Sequence, residues 1–135
     1  MSAKEIVKAF YDSDLANDAS VVSTFFHKDC QLHWNSSQGF TILDYDGLEG
    51  FFEGTRQSYK ALRFKFSHIL EDNPFVTTRH TLFGNTIEDP DNEIALAHFT
   101  SIWEVKDGKL FRCHEISQLA DDKTLESNSF SEIKI

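Results

Sequence analysis

The chain is poor in the residues that cross-link a small protein or interrupt regular structure. Its 135 residues include two cysteines, Cys30 and Cys113, two prolines and six glycines. Two cysteines form at most one disulfide, so the sequence does not indicate a disulfide-rich secreted scaffold. Scarce proline and glycine favour long helices and strands joined by short connections. A chain of this length is the size of one domain with its own core.

Positive charge and long apolar runs are also scarce. Thirteen basic residues stand against 22 acidic ones, a formal net charge of −9, which argues against a nucleic-acid groove or an anionic membrane as the main partner. No apolar run approaches the ~20 residues of a membrane-spanning helix. The first residues, MSAKEIVKAF, lack the apolar stretch of a signal peptide. We therefore expect a cytoplasmic protein with no nucleic-acid and no membrane partner.

Phenylalanine is the abundant residue, with 13 copies against a single methionine. Aromatic side chains bury large areas, so the core is expected to be wide and built from rings. Residues 121–135 (DDKTLESNSFSEIKI) are polar by comparison. We expect one domain over residues 1–120, followed by a polar C-terminal tail over residues 121–135.

Helical patterns come first and strand patterns follow. Ser2 and Glu5 form a capping-box pattern that opens a helix to about residue 15, and Asp18 and Asp46 are placed to cap two more. A short strand is expected over residues 30–35, and the third helix to about residue 61. Apolar residues then recur at every second position, first at 62, 64, 66 and 70, with His68 in the same row. Long strands are predicted over residues 62–70, 75–87, 94–105 and 110–119. The order predicts an α+β fold with helices on one face of a sheet.

Three segments carry a resemblance to a known family: FFHKDCQLHWN, GLEGFFEGTRQSY and VKDGKLFRCHEIS. With the order of elements, they resemble the SnoaL-like branch of the nuclear transport factor 2-like superfamily, which includes ketosteroid isomerase and limonene epoxide hydrolase. The resemblance implies a cystatin-like cone, in which a curved, mixed or antiparallel sheet wraps around three N-terminal helices and leaves an internal pocket. It also implies a homodimer that packs through the outer sheet face. A set of alternate residues would form that face: Arg63, Lys65, Ser67, Ile69, Thr77, Arg79, Thr81 and Phe83.

The same resemblance supplies candidate site residues. Alternate residues of a strand share one face. His33 and Asn35 match a Tyr-x-Asn pair of limonene epoxide hydrolase, and Glu115 matches a carboxylate position of that family. Glu115 and His33 are the implied catalytic pair. The implied binding residues are Asn35, His98, Thr100, Cys113 and Ser117. A register slip of one residue would point His114 inward instead.

Departures from the relatives leave the chemistry open. His98 and Thr100 stand where the epoxide hydrolase has Arg-x-Asp, and Phe10 stands where ketosteroid isomerase has a tyrosine, with Tyr11 one residue off that face. A carboxylate or imidazole against apolar walls has its pKa moved toward neutrality, as a general base requires. The alternative role for Glu115 is an ion pair across the sheet with Arg79, Arg112 or Lys65.

Three functions therefore stay open. The first is a pocket that binds a small, apolar or weakly polar molecule. The second is a cofactor-free isomerase, dehydratase, cyclase or hydrolase that uses Glu115 or His33 as general base. The third is a dimeric interaction module whose pocket is filled by its own phenylalanines. No metal-ligand spacing such as Cys-x-x-Cys and no phosphate loop occurs, so neither a metal nor a cofactor is expected.

Overall fold

The computed structural model describes residues 1–120; the predicted tail, residues 121–135, lies outside the described residues. Three helices and six strands follow one another along the described chain. They are α1 (Ala3–Asp12), α2 (Val21–Phe25), β1 (Phe26–Ser36), β2 (Gly39–Leu43), α3 (Tyr45–Ser58), β3 (Tyr59–Asp72), β4 (Phe75–Thr86), β5 (Glu93–Lys106) and β6 (Lys109–Leu119). Within residues 1–120, none of the helices has the length and apolar character that crossing a membrane requires.

The helix starts show which sequence signals determine them. The capping box is confirmed, because the Ser2 hydroxyl accepts from the Glu5 backbone N–H at 3.1 Å and the Glu5 side chain accepts from the Ser2 N–H. The predicted cap of α3 is off by two residues. Asp44 fills that position, accepting from the Gly47 N–H at 2.8 Å. Asp18 instead accepts hydrogen bonds from Ser20, the residue that precedes α2.

The six strands form one mixed sheet in the order β2-β1-β6-β5-β4-β3. Neighbouring strands are antiparallel except β1 and β6, which run parallel. Strand β2 lies at the edge and occupies a segment where the sequence predicted no strand. Four of its five residues are exposed, so the alternation that marks a half-buried strand is missing there. The α+β fold with a curved mixed sheet is confirmed.

Register shifts interrupt all four pairings between long strands, and a shift can change which residues of a strand face inward. One lies between Phe66 and His68, where Ser67 is the extra residue of β3. A bulge of this kind bends the strand and reverses the alternation beyond it. Ile69 therefore packs against the core, while Leu70 is 59% exposed. The expectation that Ile69 lies on the outer face, and that residues 68 and 70 continue the inner row, is wrong for this reason.

The core lies where α1 and α3 meet the inner face of the sheet, and it is built from rings as predicted. Phe10 of α1 is its centre. Its ring packs at centroid distances of 5.1 to 6.4 Å against five others, those of Tyr11, Phe25, Phe26, Phe52 and Trp103. These rings fill one end of the cone, and the sheet and helices diverge toward the other end.

Candidate binding cavity

A cavity of about 710 Å³ occupies the wider end of the cone, between the inner sheet face, α1 and α3. Its wall is mainly aromatic. The rings that contribute include Phe10, Tyr11, Trp34, Phe52, Phe64 and Phe99. The β1–β2 hairpin, residues 36–41, and Leu119 at the end of β6 also line it. This volume is in the range of small-molecule sites.

Strand register places a polar row across the inner sheet face. Trp34 pairs with Glu115, Glu115 pairs with Ser101, and Ser101 pairs with Thr78. The polar row consists of Glu115, Ser101 and Thr78. On one side of it lie the buried residues of the neighbouring row, including Cys113 and Trp103. On the other side lie residues that line the cavity, including Ser117, Phe99 and His80. The polar groups therefore lie between the packed core and the open space.

Glu115 is the charged residue of this row. Its Oε1 accepts a hydrogen bond from the Ser101 hydroxyl at 2.7 Å. Its Oε2 has no hydrogen bond within residues 1–120 and is not among the buried unpaired atoms, so it is accessible from the cavity. Burial raises the pKa of Glu115 to about 7, although the Ser101 hydrogen bond acts in the opposite direction. At neutral pH both protonation states of Glu115 are therefore populated.

The ion pair considered as an alternative role for Glu115 does not form. No salt bridge within residues 1–120 includes Glu115. Arg112 donates to the backbone carbonyls of Asp29 and Phe111, and Arg79 donates to Ser67. The partner of the carboxylate is a neutral hydroxyl, and the cavity wall formed by residues 1–120 carries no lysine or arginine to offset its negative charge.

Tyr11 is a cavity residue that the sequence comparison misplaced. Its hydroxyl accepts from the Trp103 indole N–H at 3.0 Å and lies 3.4 Å from the Thr78 hydroxyl. Burial, and then the Glu115 charge, raise the pKa of Tyr11, so the phenol stays protonated. Phe10 and Tyr11 both line the cavity. Val7 lies four residues earlier on the buried face of α1, so helical spacing predicts that Tyr11 lies on the same face.

His80 is a second cavity residue that sequence reasoning did not single out. Only 1% of it is exposed, and its ring stacks on Phe99 at 5.2 Å with an interplanar angle of 7°. Burial lowers the pKa of His80 to about 3, so the imidazole is neutral. Its Nδ1 is buried without a hydrogen bond to the described residues. Alternation along β4 from buried Val76 and Thr78 would have indicated its inward position.

The structure places His33 and Asn35 on the outer sheet face, so the expectation that they line the cavity is wrong. Trp34, between them, points inward and its indole N–H donates to the Ser117 hydroxyl at 2.8 Å. The His33 ring stacks on His114 at 4.9 Å on the outer side. The inward residues of β1 follow one alternation, with Phe26, Cys30 and Leu32 buried before Trp34. Facing the indole inward also buries the larger apolar area.

Alternation along β5 also places His98 and Thr100 on the outer face, because their neighbours Phe99 and Ser101 point inward. The His98 ring is buried and bonds to the Thr81 hydroxyl at 2.8 Å. Burial lowers the pKa of His98. These two residues are therefore not brought together with Glu115. No group within residues 1–120 has the arrangement of a metal site.

The three residues expected to share a face of β6 do so. Ser117 and Glu115 line the cavity. Cys113 lies further into the core, behind the polar row, and is not part of the main cavity wall. Burial raises the pKa of the Cys113 thiol well above its ordinary value, which leaves it unreactive at neutral pH.

The comparisons with known proteins agree with this architecture. A family model, the SnoaL-like domain, matches residues 7–113, and the chain belongs to that family. The sequence-based assignment to the SnoaL-like branch is thus confirmed. No curated protein matches the chain.

Solved structures show the same fold at low sequence identity. IdmH of Streptomyces antibioticus, a candidate polyketide cyclase, is similar with a TM-score of 0.69 and 16% identity over 87% of this chain and 92% of that chain. An LEH-like epoxide hydrolase of M. tuberculosis is similar with a TM-score of 0.66 and 17% identity over 85% and 81%. A protein of Catenulispora acidiphila with a ketosteroid isomerase-like fold, solved with trimethylamine, has a TM-score of 0.65 and 13% identity over 82% and 83%.

Proposed function

We propose that the cavity binds a small, largely apolar molecule and holds its polar group at Glu115. The observation that carries this proposal is a 710 Å³ aromatic cavity whose wall exposes one carboxylate oxygen with no partner within residues 1–120. Aromatic walls supply affinity through apolar burial, and a few placed polar groups fix orientation. The solved relative that holds trimethylamine supports the proposal, since it carries a small organic molecule on the same fold.

The test uses 1-N-phenylnaphthylamine, an uncharged fluorophore that brightens in apolar surroundings. We expect saturable binding with about one probe per chain. Ser117→Phe would place a ring in the cavity and abolish the signal, because Ser117 is on its wall. Gln118→Phe is the matched control, since Gln118 is the next residue and is exposed on the other face. Equal binding by both variants would contradict a ligand in this cavity.

Cofactor-free proton transfer is a second candidate function, favoured by the pKa of Glu115 near 7. A base with this pKa is partly ionised at neutral pH and still accepts a proton strongly. Tyr11 accepts from Trp103, which can only donate, so the tyrosine proton is available to a second acceptor, either the Thr78 hydroxyl at 3.4 Å or a ligand oxygen. Catalysis by His33 receives no support, because His33 is on the outer face.

A generic probe of base catalysis tests this candidate. 5-Nitrobenzisoxazole opens its ring on loss of a single carbon-bound proton and requires no cofactor. If Glu115 is a base, the rate with this compound rises with pH through about 7, since the carboxylate must be ionised. Glu115→Gln would remove the rise. A rate equal to that of buffer would remove the support for catalysis, while leaving the binding proposal intact.

We also propose that two copies pack through the outer sheet face. Three isoleucines are exposed there: Ile102 at 47% and Ile116 at 65% on the neighbouring strands β5 and β6, and Ile42 at 50% on edge strand β2. Apolar side chains grouped on one face favour an interface. Light scattering at tens of micromolar is expected to give twice the chain mass of 15.5 kDa. Ile116→Glu would halve that mass, whereas Ile87→Glu, at an exposed site outside the sheet, would not. A mass of one chain for the unaltered protein would contradict the dimer.

A further inference from the structure

The charge inventory of the cavity wall restricts the ligands that fit. Within residues 1–120, the wall contains no lysine and no arginine, and Glu115 is its carboxylate. The other titratable side chains on it are Tyr11 of α1, Tyr59 of β3 and His80 of β4. Neither phenol carries positive charge in any state, and burial lowers the pKa of His80 to about 3. An anionic ligand would meet only neutral or negative groups in an environment of low polarity.

The wall has two features that suit a cation. The first is Oε2 of Glu115, which is accessible and unbonded within residues 1–120. The second is the aromatic surface beside it. Trp34 pairs with Glu115 across the strands, and its ring lies 6.5 Å from that of Phe99 in a stacked orientation. The faces of aromatic rings attract cations, tryptophan most strongly, and the attraction increases when water is excluded.

We propose that the ligand carries a protonated amine beside its apolar body, and that the ammonium binds between Glu115 Oε2 and these rings. This rests on the proposed binding function and names its ligand class. A neutral donor would satisfy the hydrogen bond of Oε2 but would leave the buried negative charge without a counterion. An ammonium supplies both the hydrogen bond and the counterion, and a buried charge is stable only when it is paired.

Three naphthalene derivatives of nearly equal size test the assignment by calorimetry at pH 8. The probes are N,N-dimethyl-1-(naphthalen-2-yl)methanamine, 2-isobutylnaphthalene, in which a C–H replaces the ammonium N–H, and 2-naphthylacetate, which is an anion. The amine is expected to bind at least tenfold more tightly than the hydrocarbon, and the anion more weakly than both. Lowering the pH from 8 to 5 would weaken amine binding about tenfold per pH unit below the Glu115 pKa, because the carboxyl becomes protonated.

Two carboxylate variants make the test specific. Glu115→Gln is expected to reduce the preference for amine over hydrocarbon to about onefold. Glu104→Gln removes the same charge from an outer-facing position of β5 and should leave the preference at tenfold or more. Equal affinity of the amine and the hydrocarbon for the unaltered protein would overturn the amine assignment and leave the binding proposal standing. Absence of binding by all three compounds at 1 mM would overturn both.

Discussion

The two faces of one sheet differ sharply although the same strands build them. On the inner face, Glu115 and Ser101 form a hydrogen-bonded pair at the edge of an aromatic cavity. On the outer face, one residue away along the chain, His114 stacks on His33 among exposed isoleucines. Residue type alone would favour the histidines as the reactive groups. Burial reverses that ranking, because it raises the pKa of the Glu115 carboxyl in the cavity to about 7.

The comparison also explains why polar groups on the two faces differ in energetic importance. Inner polar atoms exchange water for a few protein partners, as the Tyr11 hydroxyl does for Trp103 and Thr78. Removing one partner then leaves the other buried and unsatisfied. Exposed polar residues of the outer face, such as Gln118, keep access to water. The predictions below test this contrast, from the largest expected effect to the smallest.

The ring of Phe10 should be the most costly single side chain to remove. Phe10→Ala deletes contacts with five surrounding rings and opens a void in the packed end of the cone. We expect a loss of about 3–5 kcal/mol in the free energy of unfolding. Ile116→Ala on the outer face should cost less than about 1 kcal/mol, because Ile116 is mostly exposed. Urea denaturation of both variants measures the difference, and equal losses would contradict the contrast between the faces.

The charge on Glu115 should reduce stability above neutral pH. Its pKa is about 7 in the folded protein against an ordinary value of 4.5, so the folded state binds the proton more tightly. The penalty is absent below pH 4.5 and is complete above pH 7, where it reaches roughly 3 kcal/mol. Glu115→Gln should therefore be more stable than the unaltered protein at pH 8 and nearly equal to it at pH 4.5.

Chemical denaturation at these two pH values checks that prediction, and the difference between the proteins cancels titrations that they share. Burial of neutral His80, for example, removes stability from both proteins as the pH falls from 6.5 toward 3. Glu104→Gln should change the unfolding free energy by less than about 0.5 kcal/mol at either pH. A Glu115→Gln variant that is less stable at pH 8 would show that the carboxylate has a favourable partner.

Removing the Tyr11 hydroxyl should have an intermediate effect. Tyr11→Phe keeps the ring but leaves the Trp103 indole N–H without its acceptor. We expect a loss of about 1–3 kcal/mol in the free energy of unfolding. Tyr45→Phe is the matched control, since the Tyr45 ring packs against the core without full burial. A loss no larger than that of the control would mean that the inner hydroxyl contributes no more than one near the surface.

His33 should matter least. His33→Ala removes a half-buried outer ring that contacts His114 and Gln31. The unfolding free energy should change by less than about 0.5 kcal/mol, and the affinity for the fluorescent probe by less than twofold. A larger change in affinity would show that His33 contributes to ligand binding, and would contradict the distinction between the two faces.

The sequence predicted the elements well and their orientations unevenly. Periodicity and the capping box at Ser2 located α1, and the four long strands followed from alternation. The sequence did not predict edge strand β2, because both of its faces meet solvent and it lacks the alternation of apolar and polar residues. The inward side of β6 was predicted from the match of Glu115 to a carboxylate position of the family.

Orientation failed where a bulge intervened or where side-chain size decided the outcome. The bulge at Ser67 reverses the inward–outward alternation of β3, so Ile69 packs inward. In β1 the indole of Trp34 occupies the cavity, and His33 and Asn35 point outward. Bulges depend on pairing with a neighbouring strand, which local spacing does not encode. The sequence therefore identified Glu115 and Ser117 as candidate cavity residues but missed Tyr11 and His80, which the pairing of distant elements brings to the same wall.

The proton affinity of Glu115 tests the central claim most directly, because the proposed functions depend on a desolvated carboxylate without a cation beside it. Carbon-13 NMR of the side-chain carboxyl carbons follows each glutamate from pH 3 to 9, and Glu115→Gln assigns the resonance by its loss. The structure predicts a midpoint of about 7 for Glu115 in the unliganded protein. A midpoint near the ordinary value of 4.5 would show that water or a cation reaches the carboxylate, and would contradict the account.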